Sequence, residues 1–408
     1  MYQIDNPEII AAIESDCRTF HALIESKRQI YRASVIGRIT LEHTQTESEV
    51  LQLGAVLSRR AEICLYDCDA PQKGDELMSW LYLIDWSGTD GAAQKDLTGY
   101  THRGLATYTH REIAGMSRTQ DPDGAVIGHE LIPMGRYTVT RVRCTGSEIR
   151  VTAYDRLHGA DVLYVPTITF PASSDAVTED IIGQLGIPGR RFVESGNLLT
   201  TEGAVVTGAD DEEIICSAEY TFTIPEAPEN MTCREVLGAI ACMYGGNAVL
   251  DREGYFTTMF WAFGKPAEEA ELRQTYTRID EPELDESNVT LSGIICHAGD
   301  ETYTRPQKIP EGAQVITCEC PWMTDARLGE VWRKLCGMNL TWRPGEVRYR
   351  MGDPRHDLGD RLAIPFRNRS DLSGRLMQCS MPLTSVVTEY DGGLTEELSA
   401  AGSSEGGY

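Results

Sequence analysis

No apolar run in this sequence approaches the roughly 20 residues that a membrane-spanning helix needs. The opening residues, MYQIDNPEII, have no basic stretch followed by an apolar core, so no secretory signal is expected. The chain is expected to stay in a cytoplasm, or to leave it only as part of a particle. Basic residues are scarce: 37 Lys and Arg face 62 Asp and Glu, for a formal net charge of −25. That argues against a sequence-reading nucleic-acid protein, which needs a basic footprint to neutralise phosphates. Neither G-x-x-x-x-G-K-[ST] nor G-x-G-x-x-G is present, and G-x-S-x-G occurs only as GSSEG at 402–406, in a small polar tail with no strand signal before it or helix signal after it to make a nucleophile elbow. The common nucleotide and hydrolase readings fall with them. Cysteine is thin for a disulfide scaffold, 12 residues spread over 408. In a reducing compartment such cysteines behave as small buried hydrophobes.

What is present is an ordinary globular composition, 41% hydrophobic and 24% charged. At about 100–200 residues per domain the length suits two to four domains. Residues 5–27 read as an amphipathic helix, with Ile9, Ile13, Cys17, Phe20 and Ile24 on one stripe. Asn6 suits its cap, Pro7 its first position and Glu8 its dipole.

Residues 30–155 alternate apolar and polar side chains and are rich in β-branched and aromatic residues, as in IYRASVIGRITL, AEICLYDC and WLYLID. RYTVTRVRCTGSEIRVTAYD reads as a hairpin, and the segment as an antiparallel barrel or sandwich. Residues 156–270 are mixed. A short helix is expected over 175–188, and a second after Thr232, where Thr232 and Glu235 spell a capping box and Gly245-Gly246 a stop. NAVLDREGYFTTMF reads as strand, turn, strand. Residues 271–400 return to strands (TYTRID, NVTLSGIICHA, AQVITCECP, VRYRMGD, DRLAIP and LMQCSMPLTSVVTEY), interrupted by a helix at about 323–336 with Val331, Trp332 and Leu335 inward. The expected divisions are an N-terminal helix (1–29), a first β-barrel-like module (30–155), a mixed α/β connector (156–270), a second β-barrel-like module with one helix (271–400) and a disordered tail (401–408).

Candidate sites weigh toward structure. Cys318-Glu319-Cys320, with Cys336 downstream, fits no standard zinc spacing and lacks an obvious fourth ligand, so packing is favoured. Cys64 and Cys68 read as a buried pair on one strand face. His102 and His110 flank a Tyr/Thr-rich stretch near acids, a coincidence expected when eight histidines meet many carboxylates. Gly128-His129-Glu130 lacks the second His of a zincin. Residues 121–124, DPDG, lack the remaining ligands of a calcium loop and read as a turn. The acidic run Asp210–Glu213 reads as a solvated loop. Trp322, Trp332 and Trp342 read as core aromatics. No residue is assigned a catalytic, cofactor-binding or metal role, and no cofactor is expected.

Four stretches carry a resemblance. IRVTAYDRLHGADVLYV (149–165) ends a strand in an A-Y-D turn, and TCREVLGAIACMYGGNAVLDREGYF (232–256) joins a short helix to a D-x-x-G hairpin. CPWMTDARLGEVWRKLCGMNLTWRPGEVRYRMGDPRHDLGDRLAI (320–364) leads to a G-D-P-x-x-x-x-G-D element, and TSVVTEYDGGLTEELSAAG (384–402) closes on a Gly-Gly-Leu turn. In this order, over roughly residues 30–402, they resemble the tail hub or baseplate hub family of long-tailed phages and related contractile injection systems. In that element Gly352, Asp353 and Pro354 are read as entering a loop, and Gly359-Asp360 as setting up the next strand.

The resemblance implies a mainly β fold with α+β insertions, in which two β-barrel-like modules per subunit close into a homotrimeric ring. It implies a non-enzymatic structural part of a virion tail tip or baseplate, assembled in the cytoplasm of a bacterial host. Expected partners are a distal tail or tail-tube protein, a spike or fibre protein and a tape-measure protein, with DNA passing through unread. Many relatives carry a further peptidase, lysozyme or fibre region; this sequence ends after the last β-rich module. The alternatives are a tail-tip cell-wall hydrolase, marked by a cleft with convergent carboxylates or a metal, and a receptor- or carbohydrate-binding tip protein, marked by exposed aromatics on one face.

Overall fold

Period-two alternation recurs along this chain, and strands are the commonest regular element among the described residues. The computed structural model describes residues 2, 4, 7–14, 19–45, 51–84, 131–191, 204–207, 213–216, 222–261, 269–280, 282–309, 313–336, 340–367 and 376–401. The N-terminal part holds α1 (Pro7–Glu14), β1 (Thr19–Ser26), β2 (Ile30–Arg32), β3 (Ile36–Thr44), β4 (Arg59–Tyr66), β5 (Glu76–Ile84), β6 (Ile132–Thr145) and β7 (Glu148–Tyr154). The middle holds a 3-10 turn at Arg156–Gly159, then β8 (Ala172–Ser173), α2 (Ser174–Gln184), β9 (Ala204–Thr207), β10 (Glu213–Cys216), β11 (Thr223–Ile224), α3 (Cys233–Tyr244), β12 (Asn247–Leu250) and β13 (Phe256–Met259). There follow α4 (Glu269–Arg278), β14 (Glu283–Leu284), β15 (Val289–Ala298), β16 (Glu301–Arg305), β17 (Gln314–Glu319) and α5 (Asp325–Cys336). The chain closes with β18 (Thr341–Trp342), β19 (Gly345–Tyr349), β20 (Arg361–Arg367), β21 (Leu376–Pro382), β22 (Ser385–Tyr390) and β23 (Leu394–Ala400).

One sheet runs through both ends of the sequence, in the order β14-β19-β23-β22-β3-β4-β7-β6-β5-β1-β2. Its centre is the antiparallel pairing of β3 with β22, in register from Thr44 opposite Ser385 to Ile39 opposite Tyr390. The fold is mainly β with a few helices, as expected, but none of the described sheets closes into a barrel. The reason lies in β3, which pairs β4 on one side and β22 on the other. The first β-rich region therefore continues into the second instead of curling onto its own edge. A separate sheet sets β15 between β16 and β17, with β17 parallel to it.

Three apolar cores sit against this frame. The first gathers residues such as Phe20, Ile39, Ile63, Tyr137 and Val151. The second surrounds α2 and α3 through Val177, Ile181, Val236, Leu237 and Phe256. The third joins Leu291, Ile294, Ile316, Leu328 and Trp342, and draws in Leu51, Leu53 and Leu57 from the N-terminal half. Each fully buried Leu, Ile or Val stabilises by roughly 1.5–3 kcal/mol, so these shared cores bind the regions together.

Several expected elements form where their local signals lie. Residues 136–154 make the β6–β7 hairpin. Thr232 and Glu235 complete a reciprocal capping box, and Gly245 ends α3 in the left-handed region at φ +76. The helix expected near 323–336 is α5, with Leu328, Val331 and Leu335 buried and Trp332 half-buried.

Two expectations are corrected. The helix read over 5–27 stops at Glu14, and Thr19–Ser26 is a strand, paired along its length with β5 and at its end with β2. Phe20, Ala22 and Ile24 point into the core at period two, which a stripe of spacings three and four also matches over so short a span. TYTRID is not a strand. Residues 275–278 are the last turn of α4, because the preceding AEEAELRQ is rich in strong helix formers and carries the helix on through TYT.

Candidate functional site

The G-D-P-x-x-x-x-G-D element, Gly352 to Asp360, lies inside the protein, with Asp353, His356 and Leu358 buried. Its first half docks on β23. Glu396 on that strand is buried, and its carboxylate accepts the Asp353 N–H at 2.6 Å and faces His356 Nδ1 at 2.9 Å. Gly352 is needed for this approach, since a Cβ there would stand 2.8 Å from Glu396 Cγ. The second half is held by Asp357, paired to Arg252 at 3.0 Å and Arg59 at 3.3 Å. Arg252, in the turn between β12 and β13, also donates to the carbonyls of Pro354 and, at 2.8 Å, His356. Arg355 pairs with Asp353 at 2.7 Å and with Glu14 of α1 at 3.3 Å. One loop thus ties together α1, β4, the β12–β13 turn and β23. The sequence reading took its aspartates as turn formers; Asp353 is also the anion of a buried ion pair, and half-buried Asp357 that of a pair with two buried arginines.

Burial opposes the charge on Asp353, but the Arg355 hydrogen bonds and the His356 and Arg355 charges outweigh it and hold the carboxyl down at about 2. Asp357 is likewise held low against burial, by Arg252 and then Arg59. Burial would lower His356, yet the Glu396 charge and hydrogen bond, with Asp353, raise it. Nearby His43 on β3 is buried, neither ring nitrogen has a hydrogen-bond partner, and burial followed by Arg59 pushes it well below its usual value.

The A-Y-D turn has a similar use. Buried Asp155 accepts from Ser58 Oγ at 2.7 Å, the Arg59 N–H at 2.8 Å and the Leu157 N–H at 3.1 Å, capping the 3-10 turn and fixing the start of β4. Asp251 accepts the Glu253 and Tyr255 N–H groups at 2.9 and 2.8 Å, which shapes the turn that presents Arg252.

A second cluster is made of thiols. Parallel register sets Cys296 of β15 opposite Cys318 of β17. Cys320 follows two residues later on the same face, and Cys242 descends from α3. All four are buried. The Sγ atoms of Cys242, Cys296 and Cys318 lie within 4.8 Å of one another. Cys320 lies beside this triad, its Sγ donating to the Ala239 carbonyl of α3 at 3.4 Å. Hydrogen bonding from Cys242 and Cys318 pulls the Cys296 thiol down, while Cys296, Cys318 and Cys320 together push Cys242 up.

The surface offers an open cleft of about 840 Å³ beside α3 and β17. Several of its polar groups already have partners: Glu42 with Arg60 at 3.1 Å, Glu235 in the capping box, and His158 stacked on Tyr154 at 3.9 Å. Near the start of α3, Val162, Leu163 and Val165 are 53%, 57% and 63% exposed. Their backbone is pinned, with the Cys233 N–H donating to Val162 O at 2.8 Å and the Tyr164 N–H to Met231 O at 2.9 Å.

Of the residues singled out in the sequence, Cys318 and Cys320 come together, while Cys336 is exposed on α5 and stands apart. The partners of the first two, Cys242 and Cys296, carry no local signal beyond being cysteines. Cys64 and Cys68 are not a strand-face pair: β4 ends at Tyr66, and Asp67 between them takes φ +49. Trp342 is a core residue whose Nε1 donates to Ala401 O at 2.8 Å, and Trp322 and Trp332 pack half-buried against the same core. His102, His110, Gly128-His129-Glu130 and DPDG 121–124 lie outside the described residues, as does Asp210–Glu213 apart from the backbone of Glu213, where β10 begins.

No family model matches the chain, and no curated protein matches it. Among solved structures it is similar to the tail protein from Neisseria meningitidis MC58, with a TM-score of 0.49 and 10% identity over 93% of this chain and 96% of that one. It is also similar to the 43 kDa tail protein of prophage MuSo2 from Shewanella oneidensis, with a TM-score of 0.47 and 9% identity over 94% of this chain and 98% of that one.

Proposed function

We propose that the chain is a structural subunit of a phage or prophage tail tip or baseplate: a hub that forms a homotrimeric ring, joins the tail tube to a distal spike or fibre, and lines the DNA conduit. The observation that carries this reading is the use to which the hub-like sequence elements are put. Asp155, Asp251, Gly352, Asp353 and Asp357, taken from three of the four resembling stretches, cap turns and form the buried joint of the frame. Such residues transmit load between regions rather than act on a substrate.

Two further features fit. The exposed apolar side chains of Val162, Leu163 and Val165, carried on a hydrogen-bonded backbone, suit a subunit contact, since contiguous exposed apolar groups mark interaction surfaces. A trimer would carry three times −25, or −75, of formal charge, and a strongly acidic wall passes DNA without holding it. Closure by rotation gives a finite ring with no open-ended growth.

Light scattering on the purified chain over a range of concentrations tests the reading. A mass three times 45.2 kDa, with a central channel on imaging, is expected. A strict monomer both alone and with tail-tube protein present would overturn it.

A further inference from the structure

We propose that Cys242, Cys296, Cys318 and Cys320 are the ligands of a structural tetrathiolate site for a thiophilic, tetrahedrally coordinated cation, zinc(II) in chemical class. The sequence reading gave Cys318 and Cys320 no metal role because their spacing lacks the remaining ligands. The fold supplies them. The parallel register of β15 on β17 delivers Cys296, and α3 delivers Cys242 from the opposite side. Cys242, Cys296 and Cys318 come from three elements and converge at one buried point, and Cys320, just past the end of β17, is buried beside them against Ala239 of α3.

The geometry suits a metal. In a tetrahedral site with Zn–S near 2.3 Å, neighbouring sulfurs stand about 3.8 Å apart. Three of the four Sγ atoms already lie within 4.8 Å of one another, and Cys320, whose Sγ now donates to Ala239 O one helical turn from Cys242, would turn its sulfur inward as the fourth ligand. Sulfur-rich sites select soft cations over magnesium or calcium.

The rival reading is four packed thiols. In that state Cys318 donates to Ile295 O at 3.8 Å and Cys320 to Ala239 O at 3.4 Å. These are weak donors at long range, and a core of this kind packs as well with Ala or Val. Convergence of sulfur on a single point is what ligation requires and what packing does not. Binding follows a simple balance: four Cys–SH and one Zn²⁺ give a Zn(S–Cys)₄ unit of charge −2 and release four protons. The bound cation would clamp α3 to the β15–β17 sheet, where the middle of the chain meets the third core.

The test uses the full chain purified under reducing conditions without chelators. Elemental analysis is expected to return one zinc per chain. After demetallation, cobalt(II) titration is expected to saturate at one equivalent, with a thiolate-to-cobalt charge-transfer band and the ligand-field bands of tetrahedral cobalt. The double variant Cys318→Ser, Cys320→Ser should lose both signals, and Cys336→Ser should keep them. Because the wild-type stoichiometry stands on its own, a misfolded double variant does not rescue the idea. No metal on isolation together with no charge-transfer band on titration would overturn it. So would cobalt binding that survives the double substitution, or an iron–sulfur or copper occupant in place of zinc.

Discussion

His356 Nδ1 lies 2.9 Å from a carboxylate oxygen of Glu396, and both side chains are buried. Burial alone would favour neutral His356; the Glu396 charge and hydrogen bond, then Asp353, win and raise its pKa. A histidine whose folded pKa exceeds the unfolded value of about 6.5 contributes stability that is complete below 6.5 and lost as pH rises through the folded value. Denaturant melts should therefore show stability falling as pH rises above 6.5. Glu396→Gln should remove that slope and destabilise by about 3–5 kcal/mol at pH 6, because it leaves a buried histidine without its counter-charge. An unchanged slope in the variant would assign the titration elsewhere.

His43 works in the opposite direction. It is buried, burial and the Arg59 charge lower its pKa, and the folded protein holds it neutral. The unfolded chain then binds the extra proton first, so stability falls as pH drops below about 6.5 towards the folded pKa. His43→Leu, which removes two unpartnered ring nitrogens, should flatten this acid limb and leave stability at neutral pH equal or higher. The two histidines thus act on opposite sides of pH 6.5, His43 below it and His356 above it; a variant in which the acid limb persists would show that His43 does not set it.

Asp357 neutralises two arginines at once, Arg252 at 3.0 Å and Arg59 at 3.3 Å, and both arginines are nearly inaccessible. Asp357→Asn keeps the shape and strands both cations, so a loss of about 3–5 kcal/mol is expected in urea melts. Limited proteolysis should find new cleavage within residues 351–360, since the loop loses its second anchor. A loss under about 1 kcal/mol would mean the joint does not depend on this pair.

Gly238 sits within α3, where replacing Gly by Ala ordinarily stabilises a helix by about 1 kcal/mol. Here the sign should reverse. A Cβ at Gly238 would meet the Gly54 carbonyl oxygen at 2.4 Å, and backbone cannot rotate away as a side chain can. Gly238→Ala is expected to cost about 1–3 kcal/mol by overpacking. A gain in melting temperature would show that the 51–57 segment is free to move off α3.

What could be read from the sequence follows the range over which each signal acts. The Thr232–Glu235 capping box, the Gly245 stop and the β6–β7 hairpin are set by neighbours within a few residues, and all three form. Residues 19–26 misled because Phe20 and Ile24 satisfy a helical stripe as well as a strand face; pairing with β5, distant in sequence, settles it. The thiol cluster was out of reach for a related reason. Cys318 and Cys320 share a face by simple alternation, but Cys296 joins them only through a parallel register and Cys242 only through helix packing. The Asp357 ion pairs likewise depend on Arg252 and Arg59, which reach the loop from elsewhere in the chain.

The proposed subunit contact makes the last prediction. Leu163 is 57% exposed, so its side chain adds little to the fold of a single chain, while its backbone is fixed through the flanking bonds of Val162 and Tyr164. Leu163→Asp should then leave the far-ultraviolet circular dichroism and melting of the isolated subunit unchanged, since exposed substitutions usually fall within about 0.5 kcal/mol. In a ring it would place a charge at each of three equivalent contacts, where an unpaired buried charge is strongly unfavourable. Light scattering should show the mass falling from three times 45.2 kDa to 45.2 kDa. Retention of the trimer mass would mean that subunits meet elsewhere, with β2 and β14, the edge strands of the large sheet among the described residues, the next surfaces to test, because a sheet edge can recruit a strand from a second chain.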